Sequence, residues 1–589
     1  MKCFHRFTTE AGLTEHDRYC SVGDFCYQLV RLPYPNTFVS FKNFERTTRF
    51  PFTIYADFEC LTEEIEEEQS PEDEPRAANT RLYQKHTPAS VGLLVVCNLS
   101  GIYQGVNLNP PVYEYETYTG RDVVDWFLHR LAAIETVLIE YLHSPQRMIF
   151  TAADGENFNQ ARACYICRKA FRNDAMNCKV RDHNQYTGEY LGAAHNQCNL
   201  LRRRTYKIPV FLHNFRGYDS HLICRGFTNF PNTKLFCIAQ TLEKYLMVNW
   251  GSHLVFKDSL QFLSASLETL AHNLAKSDPA AFKNLNRIFS VQYGPAEVEL
   301  LQQKEVYPYD FVNSWDRLLE QREQPSREQF FNKLATKECS ADEYAHFQNV
   351  WRTFGCTRFL DYHNLYLKTD VLLLADVFES FRDVCMKNYK LDPTYYLSAP
   401  NLSWDVMLKT TDEHLELICD PEMYRLINAS IRGGISMVTK RYAKANNKYL
   451  GAGRYDPSLP SSYIIYLDAN NLYGWAMSQP LPHSSFRWLL QKEITQIDWL
   501  KQSDTQKTGY IVTCDLEYPA HLHNQHNDYP LGAEQLDIYP NMLSKVQEEL
   551  RALYDMNQSG TSRKLVPNLY NKLNTQFTTA YSSTTLEKV

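Results

Sequence analysis

Asp57 and Glu59 stand two residues apart in FTIYADFEC, a run of β-branched and aromatic residues that reads as a strand. Strand alternation sends both carboxylates to one face. Buried acids on one face need compensating charge, because an unpaired buried carboxylate is costly. Divalent cations such as Mg²⁺ or Mn²⁺, which prefer oxygen ligands and hold substrate phosphates, are one solution. Asn214 and Asp219 follow in HNFRGYDSHLI, at a predicted strand end and turn. Tyr366 and Asp370 lie four apart in YLKTD, so they share a helix face. Each pair is ordinary alone, and a tyrosine with a solvated acid is the bland reading of the last.

A second set of residues speaks of soft-metal chemistry. Cys164-x2-Cys167 and His195-x2-Cys198 supply four zinc ligands at short spacing. At the N-terminus, Cys3, His16 and Cys20, with Phe7 and Leu13 between them, match the second half of a zinc finger ending in cysteine. The first cysteine of that finger is missing before Cys3, so an unmetallated chain end is an equal reading. Sixteen cysteines, no signal peptide and no apolar run near the ~18 residues of a membrane span fit an intracellular, soluble protein with free thiols or metal ligands. The nucleus is an open possibility for its compartment, and no membrane is expected as a partner.

The elements that must carry these groups alternate. Strand-like runs lie at 51–60 and around ASVGLLVVCNL, and 208–223 reads as a buried strand running into a turn and helix; helical periodicity marks 121–142 and 364–389. This alternation predicts an α/β domain. The net charge of −7 argues against a general nucleic-acid binder. Eight acids and no base between Glu63 and Glu74 account for it, however, and read as a solvated loop. The remainder is close to neutral, so charge does not decide whether DNA is a partner. After about residue 390 the composition shifts, ending in a strand that delivers Asp468 to a turn and an aromatic-rich stretch.

In series, Asp-x-Glu, Asn-x4-Asp and Tyr-x3-Asp resemble the three motifs of DEDDy 3′–5′ exonucleases, in the order found in family B DNA polymerases. FTIYADFEC, FLHNFRGYDSHLI, VYPYDFVNSWDR, IRGGIS and YLDANNLYGWAMSQPLP read like the organellar and viral, protein-primed branch, close to Maverick/Polinton transposon polymerases. The resemblance implies an RNase H-like exonuclease domain with a zinc-finger-like insertion, followed by a partial α+β polymerase palm. It implies that Asp57, Glu59, Asp219 and Asp370 hold two Mg²⁺ or Mn²⁺ ions, that Tyr366 orients the attacking water, and that Asn214 contacts a single-stranded 3′ end. Phe58 and Phe215, beside the acids, are candidates for stacking on bases, with core packing as the alternative. Arg432, Gly433 and Gly434 resemble the template-positioning linker. Asp468, Asn471, Leu472 and Tyr473 resemble the first palm motif, which binds metal and nucleotide. DNA is the implied partner, and a terminal protein primer a further one.

The implied layout is a partial finger at 1–20, an exonuclease domain at 50–390 with a zinc insertion at 160–205, a linker at 391–460, palm at 461–572 and a divergent tail at 573–589. Within the insertion, Asp182, His183 and Asn199 resemble the HNH finger of phage recombination nucleases, whereas the bland reading is a zinc-stapled loop. The basic run Arg202, Arg203, Arg204 and Lys207 reads as a phosphate contact or a solvated linker. Neither Lys-x3-Asn-Ser-x-Tyr-Gly nor Asp-Thr-Asp occurs after Asp468, which predicts a C-terminally truncated polymerase that incorporates no nucleotide. Three readings follow: residual exonuclease, inactive transposon relic or DNA-binding remnant, and zinc-insert endonuclease.

Overall fold

The computed structural model describes residues 10, 14, 32–65, 84–99, 114–144, 146–202, 205–241, 243–431, 435–440, 442–451, 453–503, 506–553 and 562–578. Cys3, His16 and Cys20, most of the acidic run, Arg203, Arg204, Arg432, Gly433 and Gly434 lie outside them. The chain divides into two compact units, residues 41–413 and residues 1–40 with 414–589. Among the described residues, no helix is long and apolar enough to cross a membrane.

The first unit is an α/β structure on a mixed sheet. Its strands are β1 (Phe52–Glu64), β2 (Gln84–Cys97), β3 (Glu116–Thr119), β6 (Ile208–Leu212), β7 (Leu235–Thr241), β8 (Lys244–Trp250) and β9 (Leu254–Asp258). The order across the sheet is β3-β2-β1-β6-β9-β8-β7. β6 runs parallel to both β1 and β9, and the outer pairings are antiparallel. A separate antiparallel pair, β4 (Lys179–His183) and β5 (Tyr190–His195), belongs to the cysteine-bearing insertion.

Helices cover both sheet faces, so both faces of β1 are apolar. Phe52, Ile54, Ala56 and Phe58 enter the core under α1 (Val123–His143). Tyr55 and Leu61 enter the other core, built on the 31-residue α3 (Phe359–Tyr389). Asp57 and Glu59 are in phase with Tyr55 and therefore share the α3 side. Between β6 and β7 lies α2 (Asp219–Gly226).

Arg382, fully buried on α3, ties that helix to the sheet. It donates to Asp392 Oδ1 and Oδ2 (3.0 and 2.7 Å), Glu379 Oε1 (2.7 Å), Thr53 Oγ1 (2.9 Å) and the Phe50 carbonyl (2.9 Å). Tyr55 OH donates to the same Glu379 oxygen at 2.7 Å. Asp392 belongs to the segment expected as linker. So do Thr394 and Tyr396, whose carbonyls accept from the buried Lys257. The boundary expected at 390 therefore moves to about 413: residues 391–413 are part of this unit's core.

In the second unit, Ile511–Leu516 pairs antiparallel with Lys572–Thr578, and Glu534–Ile538 with Ser562–Val566. The tail expected from 573 thus begins inside a strand. The expected strand leading to Asp468 is not formed: residues 463–468 are exposed extended chain, with Tyr466 93% exposed, and no described strand lies beside them. A β-rich segment without a partner has no ladder to satisfy its backbone.

Candidate metal-dependent active site

The middle of β1 faces α3, and there the acids gather. Carboxylate oxygens of Asp57, Glu59 and Asp370 lie within 4.8 Å of one another. Glu59 and Asp370 are buried and Asp57 half-buried. Asp219, buried at the start of α2, is close enough for its charge to raise the pKa of Glu59, as Asp57 raises that of Asp219.

β1 and α3 deliver these groups by period alone. Positions 57 and 59 share a strand face, and positions 366 and 370 share a helix face. Asp219 is placed by the loop after β6. There Asn214 adopts a left-handed backbone (φ 68°) and donates its N–H to Asp258 Oδ1 at 2.9 Å, while Arg216 N–H reaches Asp258 Oδ2 at 3.3 Å. Asn214 itself is exposed, as a contact to a nucleic-acid strand requires.

The electrostatics are those of crowded acids. Burial, then the Asp370 carboxylate, push Asp57 up to about 7 against the opposing pull of Lys304. Burial, then Asp57, raise both Glu59 and Asp219. Asp219 Oδ1 and Asp370 Oδ1 are buried without a hydrogen-bond partner. Among the described residues, the cation paired with these acids is Lys304, which meets Asp370. Although burial pulls its pKa down, Asp370, Tyr309 and Asp57 hold Lys304 above the usual range of an amine. Four carboxylates against one ammonium, with orphaned oxygens and an all-oxygen donor set, fit hard divalent cations such as Mg²⁺ or Mn²⁺.

Tyr366 is fully buried beside the acids; burial, then the Asp370 charge, raise its pKa. Its hydroxyl is 2.8 Å from that of Tyr309, and Lys304 Nζ stands 5.1 Å from its ring centroid. Sequence reasoning missed Lys304, which nothing in LQQKE sets apart from any loop lysine, and gave Tyr309 no role although VYPYDFVNSWDR was singled out. It also missed Gly92, opposite Asp57 on β2: a side chain there would strike Tyr115, its Cβ coming within 2.5 Å of the hydroxyl.

Phe58 and Phe215 correct the expectation of base stacking. Phe58 is 3% exposed and packs edge-to-face on Phe127; Phe215 is 1% exposed and stacks on Phe256. Alternation turns Phe58 away from the acids into the α1 core.

In the insertion, ligand atoms of Cys164, Cys167, His195 and Cys198 all lie within 4.8 Å of one another. His195 Nε2 is 3.1 Å from the Ala170 carbonyl. This fixes the tautomer and turns Nδ1 toward the cysteines, 3.2 Å from Cys167 Sγ and 3.8 Å from Cys198 Sγ. Desolvation raises the Cys164 thiol, but N–H groups of Cys167, His195 and Ile166 outweigh it and hold its pKa below the ordinary value. This Cys3His set fits zinc. The endonuclease reading fares worse. Asp182 is 3% exposed, and its Oδ2 is taken by Arg202 Nη1 (2.7 Å) and Tyr165 OH (2.6 Å), so it is not a free metal ligand beside His183 and Asn199.

In the second unit, Asp468 and Tyr473 are exposed, and among the described residues Asp468 belongs to no group of three or more metal-ligating side chains. Asn471 caps the helix Leu472–Met477 by accepting the Gly474 N–H at 3.2 Å.

The family described as DNA polymerase type B, organellar and viral, matches residues 200–551, more than half of the chain and a span that includes Asp219, Tyr366, Asp370 and Asp468. Comparison with curated proteins and with solved structures returned no match.

Proposed function

The chain belongs to the organellar and viral type B DNA polymerase family, and on that premise we propose that residues 41–413 are its 3′–5′ exonuclease, acting on the single-stranded 3′ end of DNA. The observation that carries this reading is the convergence of Asp57, Glu59 and Asp370 on one point, with Asp219 and Tyr366 beside it. The strand order, three antiparallel strands followed by parallel β6 and β9, supports an RNase H-like fold for the unit.

Asp57, Glu59, Asp219 and Asp370 would hold two Mg²⁺ or Mn²⁺ ions, which supply an activated water and charge stabilisation of the leaving 3′ oxygen. The chain's own groups do the rest. Tyr366, held by Tyr309, presents its hydroxyl to the attacking water. Lys304 lends positive charge where the scissile phosphate brings negative charge. Asn214 offers an exposed amide to the strand end. The Cys164, Cys167, His195 and Cys198 set would hold one zinc ion that staples the insertion. Kinship of the chain to Maverick/Polinton polymerases, and use of a terminal protein primer, belong to the same proposal and rest on the motifs quoted above.

The experiment is incubation of the 589-residue chain with single-stranded DNA and Mn²⁺ or Mg²⁺. Degradation should occur with either ion, and Asp57→Ala with Glu59→Ala should reduce it by about 10³-fold or more. Equal activity in the double variant would sink the assignment.

A further inference from the structure

Between residues 160 and 207, ten lysines and arginines stand against three acids, in a chain whose net charge is −7. The imbalance is organised. Arg162, Arg172 and Lys179 line one open hollow of about 580 Å³ whose lining contains no acid. Beside it, Lys179 and Arg181, two apart on β4, sit over three aromatic rings from outside that strand. The Arg181 guanidinium lies 4.3 Å from the Phe150 centroid and 5.2 Å from that of Phe158. Lys179 Nζ lies 4.7 Å from Phe158 and 5.5 Å from Phe171.

The three acids of this stretch, Asp174, Asp182 and Glu189, offset only part of its charge, with Asp174 near enough to Arg172 for the two to interact. Asp182 is consumed by Arg202 and Tyr165. Asp174 accepts from the N–H groups of Met176 and Asn177 and from the Asn177 amide. Asp154 accepts from Thr151 N–H and hydroxyl. What remains is a set of four cations, two of them held in place. Lys179 and Arg181 are braced by aromatic faces, Arg162 and Arg172 are exposed, and the whole is pinned by the Cys3His cluster behind them.

We propose that the insertion is a second DNA-binding site, one that grips backbone phosphates through Arg162, Arg172, Lys179 and Arg181 and is separate from the acidic cluster. Cations fixed before binding lose little freedom on meeting phosphates, and phosphate contacts position a strand without reading its sequence. An acidic protein surface would also meet positive charge, but the family acts on DNA, and cations set over aromatic rings suit a polyanion with bases attached. The proposal rests on the family's partner and not on the exonuclease reading.

The test uses the 589-residue chain carrying Asp57→Ala, so that strands survive, with fluorescence anisotropy of a 30-nucleotide single strand and a 30-base-pair duplex at rising KCl. Adding Arg162→Gln, Arg172→Gln, Lys179→Gln and Arg181→Gln should weaken binding at least about tenfold. It should also reduce the slope of log affinity against log salt by about 3, since each lost contact removes roughly 0.7–0.9. A second variant, Arg162→Glu with Arg172→Glu, changes only exposed side chains and should move both quantities in the same direction without disturbing the fold. Loss on either DNA supports the proposal and names the form bound. Unchanged affinity and slope on both, in both variants, overturns it and leaves the patch to an acidic protein. The binding readout holds whether or not the wild-type chain hydrolyses DNA.

Discussion

Asp57, Glu59 and Asp370 offer three clustered carboxylates to one positive side chain, Lys304, and this sets what single substitutions should do. With folded pKa values raised above the unfolded value near 4, Asp57, Glu59 and Asp219 bind more protons folded than unfolded. Without Mg²⁺ or Mn²⁺ the protein should therefore lose stability as pH rises from about 4 through about 7, where Asp57 sits. Calorimetry should show Tm falling between pH 5 and 7.5 in the wild type and falling less in Asp57→Asn. At pH 7.5 that variant should melt about 2–4 °C higher than wild type while losing nuclease activity. An identical pH dependence in both would mean that the acids do not repel. Tyr366→Phe removes the hydroxyl that meets Tyr309 and should lower kcat for strand degradation by about tenfold to a hundredfold with little change in KM. These roles were legible where period delivers them: 57 with 59 on a strand, 366 with 370 on a helix. Lys304 was not, because a loop residue's neighbours are set by tertiary packing alone. Phe58 was legible by the same period: it lies between Asp57 and Glu59 on one strand, so alternation sends its ring to the opposite face, and the core-packing alternative is the one that holds.

At the scale of elements, a buried guanidinium, Arg382, is central to the polar network that ties α3 to β1. Arg382→Met should destabilise the 41–413 unit by about 3–5 kcal/mol in denaturant unfolding, because Asp392 would be left charged and unpaired. A loss below about 1 kcal/mol would mean that the network is not a clamp. The insertion depends on its metal set instead of on a core of its own, since only Cys164, Ile166 and Ala194 form its buried cluster. Cys164→Ser should cost the chain one equivalent of zinc by elemental analysis and raise protease sensitivity between residues 160 and 205. Retention of zinc would contradict the ligand assignment. The ligand spacing made this cluster readable from sequence. The quenching of Asp182 was not readable, because Arg202 reaches it across twenty residues and through the fold.

For the whole molecule, the family match and the acidic cluster speak to different halves of a polymerase's work. Asp468, exposed and outside every group of three or more metal-ligating side chains among the described residues, should support no primer extension by the 589-residue chain, as read on a primed template with all four nucleotides. The strand expected before Asp468 was misread because β-rich composition in YIIYLD states a preference, whereas a strand also needs a neighbour to pair with. The exonuclease claim stands independently of that outcome. Its most direct test is a 5′-labelled single strand incubated with the chain and Mn²⁺ and resolved at single-nucleotide steps. The account predicts a ladder that shortens one nucleotide at a time from the 3′ end, absent in the Asp57→Ala, Glu59→Ala chain. An intact strand, or internal cuts that persist in that variant, would contradict it.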